Sequence, residues 1–259
     1  MRQSLPLLAS PQAPSQETAD VVHNAAMSSL PVGTVTFLFS DIEGSTRLLR
    51  ELGDSYGDLV ALHHRLIRES ASGAGGTEID AQGDAFFFSF PRARDAVAGA
   101  LTAQQQFTAT RWPGEVEVKV RMGLHTGEPT VGEEGYLGLD VVRGARIAAA
   151  AHGGQVLVSE TTRALLPPEL PGGAEIIDLG EHSLKDMERP ERLFQVAAPG
   201  LPSDFPQPRA HRAPGGEEDL ESRINEFVQQ GISSVFENTE VRKLESGRWL
   251  VRRRRRRAG

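Results

Sequence analysis

Between Val35 and Gly127 the apolar residues fall into six segments that switch period in a set order. Val35 to Phe39 is a short continuous apolar run of strand type. Beyond it, Leu48, Leu49, Leu52, Tyr56, Leu59, Val60, His63, Leu66 and Ile67 share one helical face, with Ser45 placed to cap the helix. Gly73-Ala74-Gly75-Gly76 ends that helix. Thr77 to Gln82 and Ala85 to Phe90 read as two strands joined by a tight Gly83-Asp84 turn. Pro91 opens a second helix whose inner stripe is Ala96, Val97, Ala100, Leu101, Gln104 and Phe107. Val116, Val118, Val120, Met122 and Leu124 then alternate along a strand that stops at Gly127.

The order β-α-β-β-α-β is the ferredoxin-like one and makes the fold class α+β. C-terminal α/β additions follow this core. They are an Ala-rich helix from Leu139 to Ala151, a strand at Gln155 to Ser159, a short helix to Leu166, and strands at Glu175 to Leu179 and Arg192 to Val196. The folded domain is expected over residues 31–199. Residues 1–30 are rich in Pro, Ser, Gln and Ala and read as disordered, with Met27 an alternative start. Residues 200–216 read as a Pro-rich linker. Residues 217–259 are expected to hold a small helix (Leu220 to Val235), a hairpin around Glu245-Ser246-Gly247, and the arginines Arg252 to Arg257.

Composition narrows the partners. The 259 residues, 39% hydrophobic and 24% charged, suit one sizeable domain with tails. With no cysteine, disulfides and thiolate metal sites are excluded. No apolar run approaches the roughly 20 residues that span a bilayer. The N-terminus is a poor secretory signal. We therefore expect a cytoplasmic protein without a membrane partner. A net charge of -7 argues against broad nucleic-acid binding by the body of the protein, leaving only weak, salt-sensitive polyanion contacts by the arginine tail.

Two carboxylates stand where chemistry would need them. Asp41 follows an apolar strand and precedes a helix start, and Asp84 sits in a turn between two strands that lie beside the first in a ferredoxin-like sheet. Either alone is most simply a cap or turn residue. Together, above one sheet, they form a hard oxygen site suited to Mg²⁺ or Mn²⁺ with triphosphate oxygens completing the shell. Gly44, Ser45 and Thr46 offer backbone N–H groups and a helix N-terminus to phosphate. Arg146, on the Ala-rich helix, reads either as a solvated face or as a donor to a transition-state phosphate. Lys185 is a phosphate contact or a surface charge, His125 a satisfied strand-end histidine, and His63 and His64 receive no role.

The stretches FLFSDIEGSTRL, GDAFFFSF, RMGLHTGE, GLDVVRGARIAAAAHGGQVLVSE and LGEHSLKDMERPERLFQV together resemble the catalytic domain of class III adenylate/guanylate cyclases of the bacterial, actinobacterial type. The resemblance implies a head-to-tail homodimer with its sites at the interface, acting on ATP or GTP. It makes Asp41 and Asp84, with the Ile42 carbonyl, the ligands of two metal ions per site. It makes Arg146 the transition-state arginine, given to the partner's site, and Lys185 a phosphate-binding lysine. The implied reaction is attack of the ribose 3′-hydroxyl on the α-phosphate, giving a 3′,5′-cyclic nucleotide and pyrophosphate.

The same comparison shows three departures. Typical adenylate cyclases read adenine with a lysine at the position of Asp80, and its polar partner falls on Gly135. The ribose-orienting asparagine falls on Val142. A carboxylate at Asp80 would suit guanine N1–H and N2–H. An active nucleotidyl cyclase is the first expectation, and a weak or inactive cyclase-homology module serving regulation or dimerisation is the alternative. A generic ferredoxin-like binding domain leaves the paired aspartates unexplained, and the Gly-Gly-Asp/Glu-Glu-Phe turn of diguanylate cyclases is absent.

Overall fold

The computed structural model describes residues 30–132, 135–209, 239–243 and 249–253. The chain divides into Met1–Leu30 and Pro31–Gly259, and the latter is described here. The disordered segment expected over 1–30, the helix at Leu220 to Val235 and the arginines beyond Arg253 lie outside the described residues, apart from Leu30.

A seven-stranded sheet organises the domain. It contains β1 (Val35–Ile42), β2 (Thr77–Gln82), β3 (Ala85–Phe90), β4 (Val120–Gly127), β7 (Val156–Ser159), β8 (Glu175–His182) and β9 (Glu191–Ala197) in the order β2-β3-β1-β4-β7-β9-β8. The first four strands, all paired antiparallel, have the ferredoxin-like arrangement. The later strands extend the β4 edge, β7 joining it in parallel. A small hairpin of β5 (Thr130–Gly132) and β6 (Gly135–Leu137) follows β4. Strands β10 (Thr239–Lys243) and β11 (Trp249–Arg253) pair with each other, on either side of the turn expected at Glu245-Ser246-Gly247.

Period-2 alternation sorts the residues of β1 between the two faces. Leu38 and Ile42 join Phe86, Phe88, Phe90, Met122 and Leu124 in the main core, where α2 (Tyr56–Gly73) and α3 (Ala93–Ala109) cover the sheet. Burying each of these side chains contributes about 1.5–3 kcal/mol. On the opposite face, Phe39 stacks on Phe87 and Phe37 meets the same ring edge-on. There the Ala-rich helix α4 (Leu139–Ala150) lies close to the sheet because Gly123 and Gly144 lack side chains. A Cβ on Gly123 would stand 2.2 Å from the Ala148 nitrogen, and one on Gly144 2.9 Å from the Phe39 ring.

Two local expectations change. The long first helix is two helices, α1 (Ser45–Leu52) and α2, separated by a 3-10 turn at Gly53–Ser55. Gly53 has φ 53, and Gly-Asp-Ser is a weak helix former, so the break falls there while the apolar face continues. Ser45 is not the cap: the N-cap is Gly44, in the left-handed region at φ 69. The strand expected from Val116 begins at Val120, because Pro113–Glu115 forms a 3-10 turn and the next residues leave it extended but unpaired in the sheet.

His125 is the satisfied histidine expected. Its Nδ1 lies 2.9 Å from Ser159 Oγ and its Nε2 3.2 Å from Asp140 Oδ1. Ser159 also accepts from the Thr162 N–H and caps the short helix α5 (Glu160–Ala164). With Ser159 1% and His125 2% exposed, this Ser-His-Asp chain is a structural network and not a nucleophile.

His63 is a different case. It is fully buried, its ring stacked on Phe107, and neither ring nitrogen has a hydrogen-bond partner. Burial pushes its pKa down to about 3, against the opposing pull of Asp84. The folded pKa is below the unfolded one, so His63 costs stability as pH falls from about 6.5 through about 3. His63→Leu should therefore flatten acid unfolding across that window, as measured by urea midpoints at several pH values. Parallel pH profiles for wild type and variant would exclude the effect.

Candidate active site

The carboxylate pair forms because three chain segments meet at one end of β1. Asp41 and Ile42 are its last two residues, and the β2–β3 turn brings Asp84 alongside. The Ile42 N–H donates to Asp84 Oδ2 at 3.1 Å. His64, to which no role was given, reaches from α2 to the same turn, its Nε2 2.6 Å from the Gly83 carbonyl oxygen. Both aspartates are buried, at 3% and 1% exposed.

A residue the sequence reading did not single out completes the pair. Antiparallel register places Arg121 of β4 directly opposite Asp41. Its Nη2 and Nε donate to Asp41 Oδ2 at 2.9 and 3.2 Å. Arg121 is itself 5% exposed. The buried Arg121 guanidinium thus faces Asp41, one of two neighbouring buried carboxylates. Burial first, and the neighbouring Asp84 charge second, push the Asp41 carboxyl up to about 7 although Arg121 pulls it down. The pair retains a proton well above the ordinary carboxylate range.

This donor set fits a divalent cation. Two carboxylates and the adjacent Ile42 carbonyl are hard oxygen ligands, and their mutual repulsion is what a cation would relieve. Among the described residues no group of three or more His, Cys, Asp or Glu could hold a metal, so further ligands would have to come from water or a bound phosphate. Next to the pair lies a cleft of about 380 Å³ lined by Ser45, Thr46, Leu49, Tyr56, Val60 and Asp84 among others. That volume is within the range of small-molecule sites. The N-terminus of α1, entered through Gly44, opens onto it.

The other expected site residues gather elsewhere. Arg146, 4% exposed on α4, donates from Nη2 to Asp186 Oδ2 at 2.5 Å. Lys185 directly precedes that aspartate in the β8–β9 loop. Asp80, on β2 beside a bulge, accepts from the Ala81 N–H at 2.8 Å and from Gln82 Nε2 at 3.2 Å. Gly135 opens β6 at φ 124, and a Cβ there would lie 3.8 Å from Ile79, the neighbour of Asp80. The two positions expected to read the base are thus near one another at the β2 edge. Val142 lies on α4, one turn before Arg146.

A ferredoxin-like α+β domain with a buried carboxylate pair between β1 and the β2–β3 turn, flanked by a helix N-terminus, defines a nucleotidyl cyclase fold. The sequence matches the adenylate and guanylate cyclase catalytic domain family over residues 27–196, and the chain belongs to that family. An uncharacterised protein of Mycobacterium tuberculosis is 36% identical over 185 residues, 71% of this chain and 62% of that protein. The chain therefore spans less than two thirds of that relative's length. An adenylate cyclase of Neurospora crassa is 27% identical over 70% of this chain and 10% of its own. Among solved structures, an adenylate cyclase from Trypanosoma brucei in its monomeric state superposes with a TM-score of 0.64 at 28% identity, covering 71% of this chain and 97% of that one. The adenylyl cyclase CyaB of P. aeruginosa does so with a TM-score of 0.55 at 25% identity, covering 64% and 94%. No helix among the described residues is long and apolar enough to cross a membrane.

Proposed function

We propose that the chain converts ATP or GTP to a 3′,5′-cyclic nucleotide and pyrophosphate for intracellular signalling, with sites shared between two head-to-tail copies. The observation that carries this reading is the buried Asp41–Asp84 pair, with Asp84 lining the cleft. Asp41, Asp84 and the Ile42 carbonyl would hold Mg²⁺ or Mn²⁺, two per site. Bound there, the metal supplies Lewis acidity to the attacking hydroxyl and to the pyrophosphate. The N-terminus of α1 with Gly44, Ser45 and Thr46 receives phosphate, and Arg121 fixes the orientation of Asp41. The 3′-hydroxyl releases its proton to solvent, and its oxygen forms the bond to the α-phosphorus as the bond to pyrophosphate breaks. Arg146 of one copy and Lys185 meet the charge that develops on the phosphates. Asp80 accepts from the base, which favours guanine over adenine.

A second reading has its own support. Val142 offers no hydrogen bond to a ribose, and Arg146 is engaged by Asp186 of its own chain. Both suit a domain of low turnover that serves regulation or dimerisation.

Mixing separates the readings. The full chain with Mn²⁺ should release cyclic nucleotide from ATP or GTP. Arg146→Ala and Asp41→Ala should each be inactive alone and recover part of the activity when combined, since one intact composite site can form. Recovery absent from a mixture shown to contain the heterodimer would rule out shared sites. Wild type inactive on both nucleotides would favour the second reading.

A further inference from the structure

The ordered chain continues past residue 196, where the family match ends. Part of the stretch expected as a linker lies back along the domain. Gln195 Nε2 donates to the Ser203 carbonyl at 2.7 Å. The Phe205 ring packs over Gly154, where a Cβ would sit 3.8 Å away. His152 Nε2 lies 3.0 Å from the Gln207 carbonyl, and the Arg209 N–H donates to the Ala150 carbonyl at 2.9 Å. At its end, the Arg209 guanidinium pairs with the Glu43 carboxylate, the two side chains 31% and 27% exposed.

Glu43 directly follows Ile42, and it is held from other sides too. Its N–H donates to the Lys119 carbonyl at 2.8 Å, and its carboxylate accepts from the Gly153 N–H. The backbone that presents Ile42 to the carboxylate pair is thus clamped by β4's approach, by the loop after α4, and by Arg209. Only the last comes from beyond the family match.

We propose that Arg209 is a positioning residue for the Asp41–Gly44 loop, and that residues 198–209 form a strap whose detachment loosens the site. The inference rests on the reading that this loop holds the cation. Arg209 touches neither substrate nor metal. It acts through Glu43, by restricting where the Ile42 carbonyl and the α1 N-terminus can point.

Two measurements on the full chain test it. Amide exchange is followed without metal or nucleotide, and Mn²⁺ binding is followed by the spin resonance of the free ion. Arg209→Ala should speed exchange at residues 42–46 by roughly tenfold, leave β3 unchanged, and weaken Mn²⁺ several-fold. Arg209→Lys should restore part of both, and Glu43→Gln should copy Arg209→Ala with no further effect in the double variant. Unchanged exchange at 42–46 in Arg209→Ala would overturn the proposal. Equal loosening of β3 would also overturn it, since the contact would then be merely structural. If wild type itself fails to bind Mn²⁺, the metal reading falls, and the exchange data alone still decide whether the strap holds the loop.

Discussion

Asp84→Ala is expected to abolish cyclic-nucleotide formation while leaving the protein folded. Under the proposed reading, in which the two carboxylates hold a catalytic cation, removing one should cost about 4 kcal/mol of transition-state stabilisation, roughly a thousandfold in rate. The fold should tolerate the change for a reason particular to this pair. Asp84 is buried beside a second carboxylate, and its charge raises the Asp41 pKa. Its removal deprives the Ile42 N–H of an acceptor but also relieves that repulsion. Initial rates with saturating Mn²⁺ and either nucleotide, beside thermal unfolding of both proteins, provide the check. A variant turning over as fast as wild type would show that Asp84 holds no catalytic metal.

Gly123→Ala should be the most damaging single methyl in the domain. The added Cβ would meet the backbone of Ala148 at 2.2 and 2.5 Å, and a helix backbone cannot rotate aside as a side chain can. Helix α4 must lift from the sheet, at a cost of about 3 kcal/mol. The same movement displaces Arg146, so the folded fraction should also lose activity. Gly57→Ala is the matching control. Gly57 is an exposed helical glycine with nothing within 4 Å of an added Cβ, and alanine there should raise stability by about 1 kcal/mol. Urea midpoints of the two variants moving in the same direction would refute the close-approach argument.

Period and punctuation in the sequence disclosed the sheet and its covering helices well. The continuous apolar run Val35 to Phe39 and the Gly83-Asp84 turn are local signals, and the elements they specify stand where expected. Misreadings arose where a local signal was overridden. The apolar face of the first helix runs unbroken through Gly53, although the backbone does not. Val116 and Val118 keep strand spacing outside any ladder.

The carboxylate pair was legible because strand order alone places Asp41 beside Asp84. Arg121 was not, although a charge within the apolar run Val120-Arg121-Met122 was visible. Knowing that it faces Asp41 requires the β1–β4 register. The Glu43–Arg209 contact spans 166 positions, and no periodicity reports a pairing at that distance.

The Asp186 contact has a consequence for dosage. Asp186 holds Arg146 from a left-handed backbone conformation, φ 60, which costs a non-glycine residue on the order of 1 kcal/mol. Asp186 is the exposed partner, at 58% against 4% for Arg146, so it is the aspartate that would give way to a competing phosphate. Under the proposed reading, an isolated chain keeps its arginine occupied and is silent. Signal output would then rise more steeply than in proportion to the number of chains in the cell, and a modest change in expression would act as a threshold.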